Sequence, residues 1–489
     1  MSPAIDRFWQ VLNNYGEQPA LQAAGQTLNY AQLVDAVRQR MADLAEFDAR
    51  RVALALDNGL DWALWDLALL FSARICVPLP GFFSPGQQRH VLDSAGIDTL
   101  IGAPGSLAGE GGFVERRNGI WQRQLATVPT APPTTLKITY TSGTTGQPKG
   151  VCLDGETQLA VAHSLWQASL SSQIQRHLCV LPLATLLENI AGIYAPLLAG
   201  ACVDLRPLAE IGLQGASGFD VRRFLTTLNA SQPHSLILLP QLLQALVSAA
   251  EHGLTPPDSL RFIAVGGGRV APQLLQRADA LNLPVFEGYG LSECASVVCL
   301  NTPQARRIGA VGPPLAHVQV RLAKDGEVQV RGPKMLGYLG ESASPGEWLN
   351  TGDLGHFDSE FLVLHGRKKH QFITAFGRNV NPEWVEAELT QQAPIAQAWL
   401  HGEAQAENIA VLVPRPGCSD ADLEAAVATV NADLPDYARA HHWLRAAEPF
   451  SAVNGLATVN GRLRRAALFE HYQAVIAICR SAPSTEVCA

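Results

Sequence analysis

The chain has 489 residues, of which 47% are hydrophobic and 16% are charged, a composition that excludes wholesale disorder. A formal net charge of −8 excludes a global basic field for nucleic acid. The nine cysteines form no C-x-x-C pair, which favours a reduced, cytoplasmic protein. The N-terminus has no signal-type apolar core, and no run of about 18 uncharged apolar residues occurs, so we expect no integral membrane segment.

Short apolar runs alternate with helical patterns through most of the chain. Residues 27–45 and 61–72 have apolar side chains at helical spacing, whereas residues 125–136 are rich in Pro and Thr and predict a loop. Six apolar runs predict buried strands: 51–56, 75–78, 178–183, 236–239, 262–265 and 285–287. This alternation predicts an α/β fold in which helices flank parallel-type sheets.

The pattern changes after Gly309. Residues 317–322 and 327–331 flank Asp325-Gly326, which is a hairpin signature, and residues 361–364 predict a further strand. A β-rich subdomain therefore follows the α/β part, and mixed α/β patterning ends the chain. We expect a large N-terminal domain over residues 1–367 and a small α+β domain over residues 368–489.

A loop rich in Gly, Ser and Thr carries the most specific signal. Tyr140–Val151 is YTSGTTGQPKGV, and the strand-like run LKITY ends at its first residue. Backbone N–H groups and hydroxyls in such a loop suit phosphate oxygens, and Lys149 adds a positive charge. The string is not the common P-loop, because G-x-x-x-x-G-K-[ST] is absent. A polar surface loop is the ordinary alternative, and the ordered string argues against it.

The string resembles the signature of the acyl-adenylate-forming superfamily, which includes acyl-CoA synthetases, nonribosomal peptide adenylation domains and luciferases. The resemblance extends from Tyr30 to Arg465. It implies a mobile C-terminal domain and an AMP-forming acid–thiol ligase that uses ATP, Mg²⁺ and the thiol of CoA or phosphopantetheine. Further motifs follow in the family's order: VGGGR at 265–269, EGYGLSE at 287–293, TGDLG at 351–355, GRKKHQFITAFGR at 366–378 and NGLATVNGRLRR at 454–465.

The resemblance also implies roles for individual residues. Ser292 would bond the α-phosphate, and Glu293 would ligate Mg²⁺, a cation that favours carboxylate oxygens. Lys369 stands at the hinge about which the small domain would rotate between the two half-reactions. The residues implied in ATP binding are Thr141, Ser142, Gly143, Thr144, Thr145, Gly146 and catalytic Lys149 at the β- and γ-phosphates, Gly266, Gly267, Gly268 and Tyr289 at the adenine, and Asp353 and Arg367 at the ribose.

Residues 181–200 resemble the long-chain fatty acyl-CoA synthetase branch. Glu188 is the only acid in residues 178–190 and fits that branch, whereas an amino-acid substrate would need a carboxylate partner for its ammonium group. We therefore expect a small-molecule apolar acid. Thr185 replaces the branch's His, which leaves a wider pocket, an aryl or polyene acid, or a silent change open. The pocket wall is predicted to include Thr185, Glu188, Ile190, Tyr194 and Ala264.

The terminal motif departs from the family. The family has N-G-K-x-x-R, but here Arg462 follows Gly461, and no Lys occurs after Lys369. We expect Arg462 to replace the bridging lysine at a reduced rate, because a guanidinium can donate to a carboxylate and a phosphate at once. His370 also replaces the acid usual after the hinge. The alternatives are an acyl-binding protein that has lost adenylation and an enzyme that passes its acyl-adenylate to a partner. An acyl-carrier protein is the alternative acceptor to CoA.

Overall fold

A computed structural model describes residues 2–23, 25–103, 111–117, 119–141, 148–214, 218–341, 346–458 and 461–481. The contacts divide the chain into two units. One comprises residues 1–267, 278–321 and 329–349, and the other comprises residues 268–277, 322–328 and 350–489. The predicted hinge boundary between residues 367 and 368 stays a prediction.

The first unit contains two eight-stranded sheets that are parallel at the centre and antiparallel at the edges. In spatial order, the first sheet consists of Cys299–Leu300, Val285–Tyr289, Phe262–Val265, Ser235–Leu238, Arg176–Cys179, Cys202–Leu205, Pro19–Ala23 and Gln26–Asn29. The second sheet consists of Gly337–Tyr338, Lys149–Leu153, Lys137–Thr141, Ile75–Pro78, Arg51–Ala55, Thr99–Gly102, Ile120–Gln122 and Val114–Arg117. These sheets confirm the predicted α/β class. Five of the six predicted strands are present near their predicted bounds, whereas the strand predicted over residues 178–183 lies at Arg176–Cys179.

Helices of the first unit cover these sheets and share their core. Leu60–Phe71 is buried over nearly its whole length, which is why it lacks an amphipathic pattern. The other helices are Pro3–Asn14, Tyr30–Glu46, Pro85–Ser94, Gly155–Ser169, Ala195–Leu198, Leu208–Ile211, Val221–Ser231 and Pro240–Glu251, with a π-helical segment at Glu188–Tyr194. None of the described helices has the length and apolar character needed to cross a membrane.

The predicted start of the second helix is wrong by three residues. Residues 26–29 form a strand that pairs with Pro19–Ala23, and the helix begins at Tyr30. Asn29 is the cap: its side chain accepts a hydrogen bond from the Gln32 N–H, and the Gln32 side chain accepts one from the Asn29 N–H. This reciprocal capping box outweighs the apolar spacing that extends back to residue 27.

The second unit ends in a small α+β fold. Its three-stranded sheet is formed by Ile395–His401, Asn408–Pro414 and Ala440–Arg445. The helices Pro382–Gln391, Asp420–Asp433 and Arg465–Ser481 accompany that sheet. Two short strands, Phe372–Ile373 and Asn379–Val380, pair just after the antiparallel strands Leu349–Asp358 and Phe361–Arg367. The Asp325-Gly326 turn joins Gln319–Leu322 to Glu327–Arg331, and Gly326 has the positive φ of 82° that this turn requires.

Candidate active site

Several of the predicted nucleotide-binding residues lie at the carboxyl ends of two parallel strands of the first sheet. Gly266 and Gly267 follow the strand Phe262–Val265, and Tyr289 ends the parallel neighbouring strand Val285–Tyr289. The carboxyl ends of adjacent parallel strands form a crevice that suits a nucleotide. Tyr289 is only 8% exposed, so packing fixes the position of its side chain. Gly267 has a φ of +79°, a backbone conformation that favours glycine. Gly268 comes next in the chain.

Ser292 and Glu293 lie in a tight turn that follows the strand Val285–Tyr289. A Cβ at Gly290 would lie 1.5 Å from the Ser296 carbonyl oxygen, so only glycine fits there. Ser292–Cys294 forms a single 3-10 turn, and the following Ala295 and Ser296 have φ values of +51° and +104°. Strained backbone of this kind persists where the surroundings fix it, and it is common at functional sites.

Tyr338 connects Glu293 to Lys149. The Tyr338 hydroxyl donates to Glu293 Oε1 at 2.8 Å, and the Lys149 ammonium lies 5.2 Å from the Tyr338 ring centroid. The ammonium also donates to Glu341 Oε1 at 3.0 Å, and both side chains of this pair are about half exposed. Exposed pairs of this kind contribute about 0 to 1 kcal/mol, so the ammonium can be transferred to an anionic ligand at little cost.

The predicted phosphate loop joins two antiparallel strands. Thr141 pairs with Lys149 at the ends of Lys137–Thr141 and Lys149–Leu153. Ser142, Gly143, Thr144, Thr145 and Gly146 lie outside the described residues. The strand pairing therefore fixes both ends of the loop, with Lys149 at its exit.

Sequence reasoning missed Tyr338 and Glu341. Both belong to the segment in which Gly337–Tyr338 pairs with Lys149–Leu153, so their place in the site depends on pairing between distant parts of the chain. A local pattern does not indicate such pairing.

The second unit contains the predicted ribose-binding pair. Arg367 Nε lies 2.8 Å from Asp353 Oδ1, and Asp353 and Arg367 are paired across neighbouring strands. Asp353 is 5% exposed, and its backbone N–H donates to Thr351 Oγ1 at 3.1 Å. The carboxylate is thereby held at a defined position beside a positive charge.

Lys369 lies in the turn that follows Phe361–Arg367. Burial lowers the pKa of Lys369, the nearby charges of Arg367 and Arg462 lower it further, and Asp353 and Glu383 oppose this effect. The predicted hinge residue and Arg462 thus belong to one electrostatic environment. Arg462 is exposed, and its backbone N–H donates to Thr458 Oγ1 at 3.1 Å.

His370, which departs from the family pattern, forms a hydrogen bond with a carboxylate. Its Nδ1 lies 2.6 Å from Glu383 Oε1, and the Arg367 N–H donates to Glu383 Oε2 at 3.3 Å. Burial disfavours the Glu383 carboxylate, but the His370 hydrogen bond and the charge of Arg465 outweigh burial and lower its pKa to about 2. Glu383 therefore connects residues 367–370 to the helix Pro382–Gln391.

The five residues of the predicted pocket wall have different surroundings. Thr185 is half-buried, and its hydroxyl donates to the Pro182 carbonyl at 2.7 Å. Ile190 and Tyr194 are fully buried on the π-helical segment, and the Tyr194 hydroxyl donates to Asp66 at 2.7 Å. Ala264 is half-buried on the strand Phe262–Val265. The Glu188 carboxylate is fully buried, where Oε2 accepts the Leu181 N–H at 3.2 Å.

Lys137 is a buried cation that the sequence did not indicate. Its ammonium lies 2.8 Å from Asp66 Oδ1, 3.1 Å from the Tyr194 hydroxyl and in hydrogen-bond contact with the Asn189 side-chain oxygen. Asn189 in turn donates to Asp66 at 2.8 Å. Each charge is thus paired within the core, and the network joins the strand Lys137–Thr141 to the π-helical segment.

The profile of the AMP-binding enzyme family matches residues 8–339, which is most of the chain. The chain belongs to the AMP-binding enzyme family. The superfamily predicted from the motifs is thereby confirmed, and the fatty acyl branch is one of several among the relatives.

Two relatives and one solved structure illustrate the range of proteins that this chain resembles. A 2-succinylbenzoate–CoA ligase of Enterococcus faecalis is 28% identical over 385 residues, which cover 74% of this chain and 77% of that protein. A long-chain-fatty-acid–CoA ligase of Mycobacterium bovis is 26% identical, covering 73% and 71%. The O-succinylbenzoate coenzyme A synthetase of Bacillus subtilis in complex with ATP and magnesium ion has a TM-score of 0.76 and 23% identity, covering 94% and 98%. That structure supports the fold.

Proposed function

We propose that this protein is an ATP-dependent, AMP-forming ligase that activates a carboxylic acid as an acyl-adenylate and transfers the acyl group to the thiol of CoA. The arrangement of Lys149, Tyr338 and Glu293 carries the proposal, because it combines a transferable ammonium with a fixed carboxylate beside the loop whose motif is typical of phosphate binding. The names of the two relatives, both CoA ligases, support this assignment.

The donor chemistry fits ATP and Mg²⁺. The Glu293 carboxylate would hold Mg²⁺, a hard cation that takes oxygen ligands, with the Ser292 hydroxyl adjacent. When bound, Mg²⁺ supplies positive charge that offsets the charge of the phosphates. Tyr289 and the glycines from Gly266 onward would bind the adenine, with the Tyr289 ring as an apolar face.

The chain's own residues would organise the first half-reaction. Lys149 would leave Glu341 for the phosphates and reduce the repulsion between the acid's carboxylate and the negatively charged α-phosphate that it attacks. The carboxylate oxygen bonds to that phosphorus as pyrophosphate leaves with the electrons of the broken P–O bond. Asp353, steadied by Arg367, would accept hydrogen bonds from the ribose hydroxyls and so fix the nucleotide.

In the second half-reaction the CoA thiol, having lost its proton, attacks the acyl carbonyl and AMP leaves. Rotation about Lys369 of the small domain that follows it would move Arg462 away from the nucleotide and bring the thiol-binding surface into its place between the two half-reactions. CoA is preferred over a carrier-protein phosphopantetheine because both relatives are named as CoA ligases.

We further propose that the acid is apolar near its carboxylate. Glu188 is the acid expected in the pocket block, and its buried carboxylate already accepts the Leu181 N–H and faces His177. It is therefore a poor partner for the ammonium group of an amino acid. Fatty and aryl acids both satisfy this condition, and 2-succinylbenzoate belongs in any test because of the first relative's name.

The second candidate function is acyl binding without adenylation. The replacement of the family's lysine by Arg462 favours it, because a planar guanidinium is not equivalent to an ammonium at a tight bridging position. The two candidates differ in pyrophosphate release, which acyl binding alone does not produce.

The decisive experiment measures pyrophosphate release from ATP and Mg²⁺ over a panel of fatty, aryl and succinylbenzoate-type acids, with and without CoA. We expect release that depends on one class of acid, and a CoA thioester detectable by mass spectrometry. Release without a thioester would favour transfer to a carrier protein or another partner. Binding of an acid without release across the whole panel would contradict the ligase proposal and favour the second candidate.

A further inference from the structure

A buried group of three potential metal ligands includes Glu188 of the predicted pocket wall. His177 and Cys179 are two apart on the strand Arg176–Cys179, so their side chains share one face of the sheet. Glu188 comes from the adjoining π-helical segment. The three residues are at most 3% exposed, and their ligand atoms lie within 4.8 Å of one another.

Two atoms of this group lack the partners that burial requires. His177 Nε2 and Glu188 Oε1 are 3.5 Å apart, and neither has a hydrogen-bond partner. His177 Nδ1 lies 2.9 Å from the Ser235 hydroxyl. When Nδ1 carries the proton, it donates a hydrogen bond to that hydroxyl, and the Nε2 lone pair is directed at the carboxylate. Two lone pairs that face each other in a dry site repel unless a proton or a metal cation lies between them.

Gly192 keeps the space beside these two atoms open. A Cβ at Gly192 would lie 2.7 Å from Glu188 Oε1 and 3.0 Å from His177 Nε2, so any larger residue would fill it. The Cys179 thiol donates to the Gly192 carbonyl at 3.6 Å, and its sulfur lies within 4.8 Å of the ligand atoms of His177 and Glu188.

We propose that His177, Cys179 and Glu188 bind one Zn²⁺ ion. With Zn–N and Zn–O distances of about 2.1 Å, a tetrahedral angle separates the two donor atoms by about 3.4 Å, close to the 3.5 Å observed. A thiolate and a carboxylate together balance the charge of the ion, and the N, S and O donors suit zinc better than Mg²⁺ or Ca²⁺. Binding releases the thiol proton of Cys179.

The ion would have a structural role. It would join the strand Arg176–Cys179 to the segment that contains Ile190 and Tyr194, and so stiffen this wall of the core. The site does not depend on the proposed ligase activity, because none of its three residues is needed for the nucleotide chemistry.

Metal analysis of the whole purified chain tests the proposal directly. After incubation with Zn²⁺ and removal of the excess, we expect one zinc per chain by mass spectrometry of the digested protein. Co²⁺ in place of zinc should give the near-ultraviolet thiolate charge-transfer absorption of a cysteine-ligated site. Cys179→Ser should remove that absorption. Cys202→Ser should retain it, because Cys202 pairs with Arg176 and so faces the other side of the sheet.

Gly192→Ala provides a second test that leaves all three ligands in place. The added methyl group should lower zinc content at least tenfold relative to the parent chain. If the parent chain holds no more zinc than Cys179→Ser and gives no cobalt–thiolate absorption, the proposal is wrong. His177 and Glu188 then share a proton instead. The cobalt measurement on the parent chain decides the matter even where a variant fails to fold.

Discussion

The Glu293 side chain is fixed by contacts on both sides of its backbone. Its carboxylate accepts the Tyr338 hydroxyl, and its carbonyl accepts the Met335 N–H at 2.6 Å. The strained residues Ala295 and Ser296 come soon afterwards in the chain. A carboxylate held in this way loses little conformational entropy when it binds a cation, which is the condition for a preorganised metal ligand.

Replacing Glu293 by alanine should therefore lower acid-dependent pyrophosphate release by about a hundredfold or more, since a metal ligand contributes several kcal/mol to the transition state. Circular dichroism and the melting temperature should stay near those of the parent. Glu347→Gln is the matched control, because Glu347 is an exposed acid of the same unit that pairs with Arg331. Unchanged release from Glu293→Ala at saturating Mg²⁺ would rule out the proposed role.

Arg462 can be tested by separating the half-reactions. Arg462→Ala should slow adenylation strongly and leave thioester formation from supplied acyl-adenylate largely intact, because the bridging charge acts only in the first step. Arg462→Lys should equal or exceed the parent rate. Pyrophosphate release and thioester formation are measured separately, and adenylation by Arg462→Ala at the parent rate would make Arg462 a bystander.

At the scale of elements, the buried Lys137 joins three segments of the first unit. It bonds to Asp66 on the helix Leu60–Phe71 and to Asn189 and Tyr194 on the π-helical segment, while its own strand leads into the phosphate loop. A π-helical turn is rare and often occurs at functional sites. This network supplies the polar contacts that hold the turn in the core.

Lys137→Met should destabilise the chain by about 3 to 5 kcal/mol, because it leaves the Asp66 carboxylate buried without its cation. Urea unfolding measures the change. Lys324→Met is the control, since Lys324 is exposed in a hairpin turn and its loss should change the stability by less than about 0.5 kcal/mol. Similar midpoints for the two variants would show that the pair contributes little.

Glu383, on the helix Pro382–Gln391, should make the free energy of unfolding depend on pH. Its folded-state pKa of about 2 is below the ordinary value near 4.5, so its contribution to stability is present above about pH 4.5 and is lost as the pH falls toward 2. The shift corresponds to about 3 kcal/mol at most. Glu383→Gln should flatten the stability of the chain across this window, as measured by urea unfolding at pH 3 and pH 6. An unchanged slope would contradict the assignment.

Arg465, the last residue of the terminal motif, forms an ion pair with the helix Pro382–Gln391. Its guanidinium contacts both oxygens of the Glu386 carboxylate, at 2.9 and 2.5 Å, and so joins Arg465–Ser481 to Pro382–Gln391. The terminal motif therefore combines an exposed Arg462 with a half-buried Arg465, and these two arginines have different surroundings.

For the whole molecule, the proposed reaction requires rotation at Lys369. Lys368 is held by Asp325 and Glu327 at 2.6 and 3.0 Å, and its N–H donates to the Gly352 carbonyl. The chain is therefore anchored immediately before Lys369. A change of backbone angle at Lys369 would move residues 370–489 while the strands that contain Asp353 and Arg367 stay in place.

Lys369→Pro should consequently impair thioester formation more than adenylation, because proline fixes the φ angle that rotation must change. Lys369→Ala is the control, since it removes the charge and keeps the backbone free. The two half-reactions are assayed separately for each variant. Equal losses in both half-reactions for Lys369→Pro, or equal effects of the two substitutions, would count against a hinge at this position.

The sequence by itself determined the α/β class, several of the central strands and the family. Short apolar runs such as 262–265 and the string from Tyr140 to Val151 are local patterns, and local patterns reflect backbone propensity, burial and the glycines that a turn demands. Gly290 is an example, because the turn that it permits is specified within seven residues. The start of the second helix was mistaken because a capping box at Asn29 outweighed the apolar spacing.

Only the tertiary structure decided which side chains meet. The contacts of Tyr338 with Glu293, of Lys137 with Asp66 and of His177 with Glu188 join residues from different elements. Such contacts depend on strand order, register and the depth of burial, which no local pattern encodes. A buried charge or lone pair must find a partner wherever the packing places one, and for this reason the ion pairs and the proposed zinc site emerged only once the chain was folded.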